Sequence, residues 1–313
     1  LQRYEIPAFY SKPNSLTLVM RRLIVLIYIV VSLTSYAQIP DVPAAFNAIK
    51  AKPEVVHLKK NHIETPSGGH LQGIQCLSDS ELLITASSGS YAYYLTANRA
   101  ELTSIRKLGD DPFRHAGGCQ VYDRMLAVGV EDNQDRDRSD IILVTFGDKL
   151  PNASQRTVLY RSGEYERSTA GAVGLTRTAS AQYLIAVGDW DSRNIDFYLS
   201  RHDDDRSFDS LTTFHAPDDH RWPSYQSINL LTDTAGRIYL IGFALDGLRN
   251  RADLFEVVLH SDRADLVLLS TRNFKCRGTS FRYGSGIYVN GTKLHIYSCS
   301  RNPTAHTAIN IFK

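Results

Sequence analysis

An all-β fold, built as a ring of five four-stranded blades, is what this 313-residue sequence predicts. Three observations carry the prediction. A short pattern recurs five times, each recurrence opens a series of short apolar runs, and a lone strand-like run near the start matches a strand missing at the end. The pattern reads His70-Leu71-Gln72-Gly73-Ile74-Gln75 and His115-Ala116-Gly117-Gly118-Cys119-Gln120, and returns more faintly at 169–174, 224–229 and 281–286. Its starts at 70, 115, 169, 224 and 281 are 45, 54, 55 and 57 residues apart. A period of that size with four strands per repeat marks a bladed ring.

The chain opens with residues that the fold does not need. Met20-Arg21-Arg22 precedes an apolar run at 23–31, and Ser35 and Ala37 are small at the expected cleavage positions. A positive start, a short apolar stretch and a small-x-small site form a secretion signal, bacterial in style. The apolar run is shorter than the ~20 residues a bilayer span needs. The expected organisation is an upstream extension at 1–19, a signal peptide at 20–37, a leader at 38–54 and the ring at 55–313. The mature chain is therefore expected in the periplasm or outside the cell, as a monomer free of the membrane.

The strands follow in order. The second unit has runs at 118–122, 125–130, 141–146 and 157–161, and the third at 172–176, 183–188, 195–199 and 211–215. The fourth unit has runs at 228–231, 238–243, 254–259 and 266–271. Each is β-branched or aromatic and is bounded by Gly, Asp, Asn or Ser, which is how strands read. In the fifth unit, runs at 284–288 and 294–298 flank Asn290-Gly291, a two-residue hairpin signal. A third run at 308–312 ends the chain, so the fourth strand is missing. The run at 55–60 supplies it, because an unclosed ring would leave strand edges exposed. No amphipathic helix of normal length is expected in the mature chain. The series Gly73, Gly118, Ala172, Ser227 and Gly284 places a small residue in every unit, where inner strands converge on a narrow channel. These features resemble the β-propeller superfamily at the level of architecture.

Composition narrows the function classes. Lys and Arg number 35 against 33 Asp and Glu, and the first 37 residues hold four basic side chains and one acidic. The mature chain keeps 31 and 32, a net charge of −1, so it lacks the basic footprint that nucleic-acid binding requires. Cys276 and Cys299 fall in one unit near the same end of their strands and are candidates for a disulfide in an oxidising compartment. Cys76 and Cys119 lie in apolar runs and read as buried thiols.

In a propeller the loops entering inner strands and those joining second to third strands share one rim. Polar loops converging on a rigid β frame make ligand sites. The candidate ligand-binding residues are His70, Gln75, His115, Gln120, Asp189, Trp190, Asp191 and Arg282, with the loops at 131–140, 189–194, 246–251 and 300–306 around them. His70 and His115 hold equivalent places in adjacent units. Two readings fit them: both face one site as acid–base groups or ligands, or both tie blades together by hydrogen bonds. The run 131–140 spaces Asp135, Asp137 and Ser139 like a calcium loop, but it lacks the turn glycine and a twelfth-position carboxylate, and Arg136 and Arg138 interrupt it. It reads as a solvated loop, and neither metal nor cofactor is expected. The DDD run at 203–205 reads as exposed turn charge.

Glu131, Asp189, Asp191 and Asp246 could meet at the rim, and glycoside hydrolysis needs two flanking carboxyl groups. The architecture is similar to that of the five-bladed propeller glycosidases, the arabinanase and invertase-like group. That resemblance implies an aspartate on the first inner strand, where this sequence has His70 and Gln72 and no acid before Asp79. The expected function is a secreted binding module for an unknown ligand, whether small molecule, glycan or protein, at the channel rim. The alternative is a carbohydrate-active hydrolase using rim carboxylates.

Overall fold

The computed structural model describes residues 39–59, 63–98, 101–147, 153–202, 207–218, 222–303 and 307–313. The expected extension and signal peptide at 1–37, Lys60 and the acidic run at 203–205 lie outside the described residues.

Five four-stranded blades form a β-propeller. The first contains β2 (Leu71–Cys76), β3 (Glu81–Ala86), β4 (Ala92–Asn98) and β5 (Glu101–Gly109). The second contains β6 (His115–Tyr122), β7 (Met125–Glu131), β8 (Arg138–Phe146) and β9 (Ala153–Ser162). The third runs from β10 (Ala172–Arg177) through β11 (Tyr183–Gly188) and β12 (Asn194–Ser200) to β13 (Phe208–His215). The fourth runs from β14 (Ser227–Thr232) through β15 (Ile238–Asp246) and β16 (Arg249–Leu259) to β17 (Ala264–Phe274). Within each of these blades every strand pairs antiparallel with the next in sequence. The fifth blade has β18 (Ser285–Asn290), β19 (Lys293–Cys299) and β20 (Thr307–Phe312), and its outer strand is β1 (Glu54–Leu58) from the far end of the chain. Glu54 pairs with Ile311 and Leu58 with Thr307 in antiparallel register, so the N-terminal strand closes the ring as expected. Nearly every strand is longer than its apolar run, because polar ends also join the hydrogen-bond ladder.

Three features go beyond the expectations or against them. The leader at 38–54 contains a helix, α1 (Val42–Ala48), capped by Asp41, whose carboxylate accepts from the Ala44 N–H at 2.9 Å. Val42 and Phe46 are four apart, share a face and are wholly buried in a cluster with Phe274, Phe281 and Phe312. Burying Phe46 alone contributes about 2–3 kcal/mol. Seven residues are too few to show a helical period in sequence. Second, Cys276 and Cys299 are free thiols, as are Cys76 and Cys119. Neighbouring residues of a strand face opposite ways: Ser298 meets Cys276 at 3.8 Å, while Cys299 points the other way, toward Gly284. Third, the hairpin loop is Gly291-Thr292, one residue later than the Asn-Gly signal, with Gly291 at φ +59°.

The small-residue series does mark the axis, with one shift of register. Gly118 pairs in parallel with Ala172, and Ser285, rather than Gly284, pairs with Gly73. A Cβ on Gly118 would stand 2.6 Å from the Gln226 carbonyl and 2.7 Å from Ser227 Oγ, so close approach of inner strands demands glycine there. Below that level the channel is filled by side-chain amides. Gln75 donates to the Cys119 carbonyl at 2.9 Å, and Gln120 donates to the Leu230 carbonyl at 2.7 Å while accepting from the Leu175 and Leu230 N–H groups. These bonds join four inner strands.

Candidate functional site

The first residues of the two strongest repeats lie at one mouth of the channel. In the β6–β7 pair His115 stands directly opposite Glu131, which puts both side chains on one face. His115 Nδ1 lies 2.8 Å from Glu131 Oε1, and the other carboxylate oxygen accepts from the Ala170 N–H at 2.8 Å. In β2 the register slips between Leu71 and Gly73, so Gln72 has no partner on β3. Such a bulge re-aims its side chain. The Gln72 amide nitrogen donates to Nε2 of both His70 (2.5 Å) and His115 (2.6 Å). With the Gln72 amide nitrogen donating to both rings, His115 carries its proton on Nδ1 toward Glu131, and both imidazoles present bare Nε2 atoms to Gln72. The two rings are 5.6 Å apart between centroids.

Burial is the main cause that pushes the His70 pKa down to about 4, followed by His115 and by the guanidinium of Arg301. Glu131 is wholly buried at the base of this chain.

Around it opens a cavity of about 570 Å³, lined by His70, Gln72, His115, Glu131, Asn133, Arg136, Gly171, Trp190, Gln226, Arg282, Tyr283 and Arg301. A second cavity of about 330 Å³ shares His70, His115 and Asn133 with it. The lining comes from loops of all five blades. Arg136 stacks over Trp190 at 4.0 Å from the ring centre and pairs with Glu166 at 2.6 Å. Arg301 stands over Tyr283 at 6.0 Å. Neither Arg282 nor Arg301 meets a carboxylate among the described residues.

Four of the eight candidate residues line this cavity: His70, His115, Trp190 and Arg282. Gln75 and Gln120 are buried beneath it in the bonds between blades. Asp189 does not face it either; its carboxylate accepts from the Arg193 and Asn194 backbone N–H groups and from the Asn194 amide, and shapes its own loop. Burial raises the Asp189 pKa against those bonds. Asp191 accepts from Ser224 at 2.7 Å, and Asp246 pairs with Arg251. Sequence reasoning missed Gln72, Gln226 and Arg301 as lining residues, while Tyr283 was among the aromatics it placed near the rim. Gln72 stood in the recurring pattern, and Arg301 in a loop already assigned to the rim. In the calcium-like run, Arg138 pairs with Asp132, Asp135 and Asp137, so the acids are spent on their own loop. Among the described residues no three His, Cys, Asp or Glu side chains cluster to hold a metal.

No family model matches this chain, and no curated protein matches it in sequence. Solved structures do. The chain is similar to the GH43 endo-arabinanase from Bacillus licheniformis, with TM-score 0.51 at 9% identity over 81% of this chain and 95% of that one. A GH43 β-xylosidase/α-arabinofuranosidase from a compost microbial metagenome gives 0.45 at 12% identity, covering 83% and 94%. A luciferin-regenerating enzyme gives 0.43 at 14%, covering 77% of each chain. The likeness is one of fold. The endo-arabinanase shares the propeller fold described above, and the chemistry rests on the cavity alone.

Proposed function

We propose that the protein is an exported, monomeric binding module that takes a small polar ligand in the cavity at the channel mouth. The observation that carries this reading is the cavity's acid count. Glu131 is the sole carboxylate among its lining residues, and both of its oxygens already accept hydrogen bonds. Concave shape, converging polar groups and two aromatic rings suit recognition. The alternative, a carbohydrate-active hydrolase, has the endo-arabinanase's fold and a buried glutamate in its favour. It needs a second carboxyl group across the scissile bond, and Asp189, Asp191 and Asp246 are each engaged elsewhere.

A panel of mono- and disaccharides and small organic acids, followed by thermal shift, tests the binding reading. Ligands that stabilise the protein should lose their effect in Gln226→Trp, which fills the cavity from β14's approach. Turnover of aryl arabinofuranosides or xylosides, abolished by Glu131→Gln, would instead establish the hydrolase.

A further inference from the structure

The cavity carries an electrostatic imbalance that names its ligand's chemistry. Three guanidiniums line it, those of Arg136, Arg282 and Arg301, against one carboxylate. Arg136 is balanced by Glu166. Glu131 is wholly buried and faces inward to His115 and the Ala170 N–H. Arg282 and Arg301 therefore keep their full charge at the open side of the cavity, with no carboxylate partner among the described residues. They come from different loops, before and within the fifth blade, so the fold assembles the pair rather than a local charge run. The histidines beside them hold their Nε2 atoms toward Gln72 and add hydrogen-bonding surface to the cavity.

A cation would be repelled from such a mouth. A neutral ligand would leave both guanidiniums unmatched. The planar guanidinium fork fits carboxylate and phosphate oxygens in pairs, which an ammonium does not. Asn133 and Gln226, each with donors and an acceptor, remain to read hydroxyl groups on the rest of the ligand.

We propose that the ligand is a small hydroxylated anion, bound through a carboxylate or phosphate oxyanion held by Arg282 and Arg301. This inference rests on the reading of the cavity as a binding site. Calorimetric titration of the purified protein with galactose, galacturonate and galactose 6-phosphate tests it, since the three share a body and differ in charge. At least one charged sugar should bind saturably and more tightly than galactose, and the stronger of the two identifies carboxylate or phosphate as the source. Arg282→Gln and Arg301→Gln should each weaken that binding by roughly tenfold to a hundredfold, the range of a charged hydrogen bond. Arg201→Gln should leave it unchanged. Arg201 pairs with Asp209 and follows β12 at the end away from the mouth.

Galactose binding as tightly as both charged sugars would overturn the oxyanion contact while leaving a ligand cavity. So would a charged sugar that responds to Gln226→Trp but to neither arginine variant. Absence of binding by all three sugars, or binding indifferent to Gln226→Trp, would overturn the cavity reading together with this one.

Discussion

Replacing Glu131 tests the wiring of the site most directly. Its carboxylate has no solvent exposure and accepts from His115 Nδ1 and from the Ala170 N–H, each at 2.8 Å. In Glu131→Ala both donors lose their acceptor in a dry place. Each orphaned group costs about 1–3 kcal/mol, so the expected loss is about 4 kcal/mol. For a chain of this size that lowers Tm by about 8–16 °C, at roughly 2–4 °C per kcal/mol. Glu131→Gln behaves differently. Its carbonyl oxygen still accepts from Ala170, but its NH₂ now faces His115 Nδ1 as a second donor. His115 must move its proton to Nε2, where it meets the Gln72 amide nitrogen, so Gln72 must turn and His70 must change tautomer as well. The glutamine variant should lose about 1–2 kcal/mol, which is the cost of one imperfect hydrogen bond in the rewired chain. Urea denaturation followed by tryptophan fluorescence measures both, because Trp190 lies 6.1 Å from the His115 ring. An alanine variant within about 0.5 kcal/mol of the parent, the range of ordinary surface changes, would refute the wiring. So would a glutamine variant less stable than the alanine one.

Other consequences follow from the same geometry. Because the folded-state pKa of His70 is depressed to about 4, the unfolded chain takes up a proton that the folded chain refuses between pH 6.5 and about 4. Stability is therefore full above pH 6.5 and falls as pH drops to about 4; the loss is about 1–2 kcal/mol after allowance for partial solvent screening, and a pH series of urea midpoints should show it in the parent but not in His70→Gln. Gly118→Ala should destabilise by about 1–3 kcal/mol through overpacking against Gln226 and Ser227, and an unchanged Tm would contradict the close approach at the axis. Burial pushes the Cys76, Cys119 and Cys299 thiols up to about 12, so a thiol reagent at neutral pH should leave them untouched until the protein unfolds. Four thiols titrating after denaturation without reductant would match the free cysteines; two would restore the Cys276–Cys299 bridge.

The ring was legible in the sequence because its determinants are local and repeated. Strand runs such as 183–188, which match β11 to the residue, are set by β-branched and aromatic side chains between turn residues. The closing strand was legible by subtraction, since a fifth blade with three strands demands a fourth. Helix α1 was not, because its stabilisation comes from Phe46 sinking among Phe274, Phe281 and Phe312, residues more than two hundred positions away. The equivalence of His70 and His115 marked the right mouth of the channel. It did not reveal that the bulge at Gln72 turns that residue between them, nor that Asp189 spends its carboxylate on its own loop.

What the sequence by itself determined is the number of blades, their order and the rim on which polar groups gather, because strand period and turn chemistry are properties of neighbouring residues. What only the tertiary structure decided is which of those groups meet. Arg282, Arg301 and Trp190 sit on separate loops and Glu131 at the end of β7, and their distances depend on how five blades close around one axis. A local pattern has no access to that closure, so the charge balance of the cavity appears only once the ring is formed.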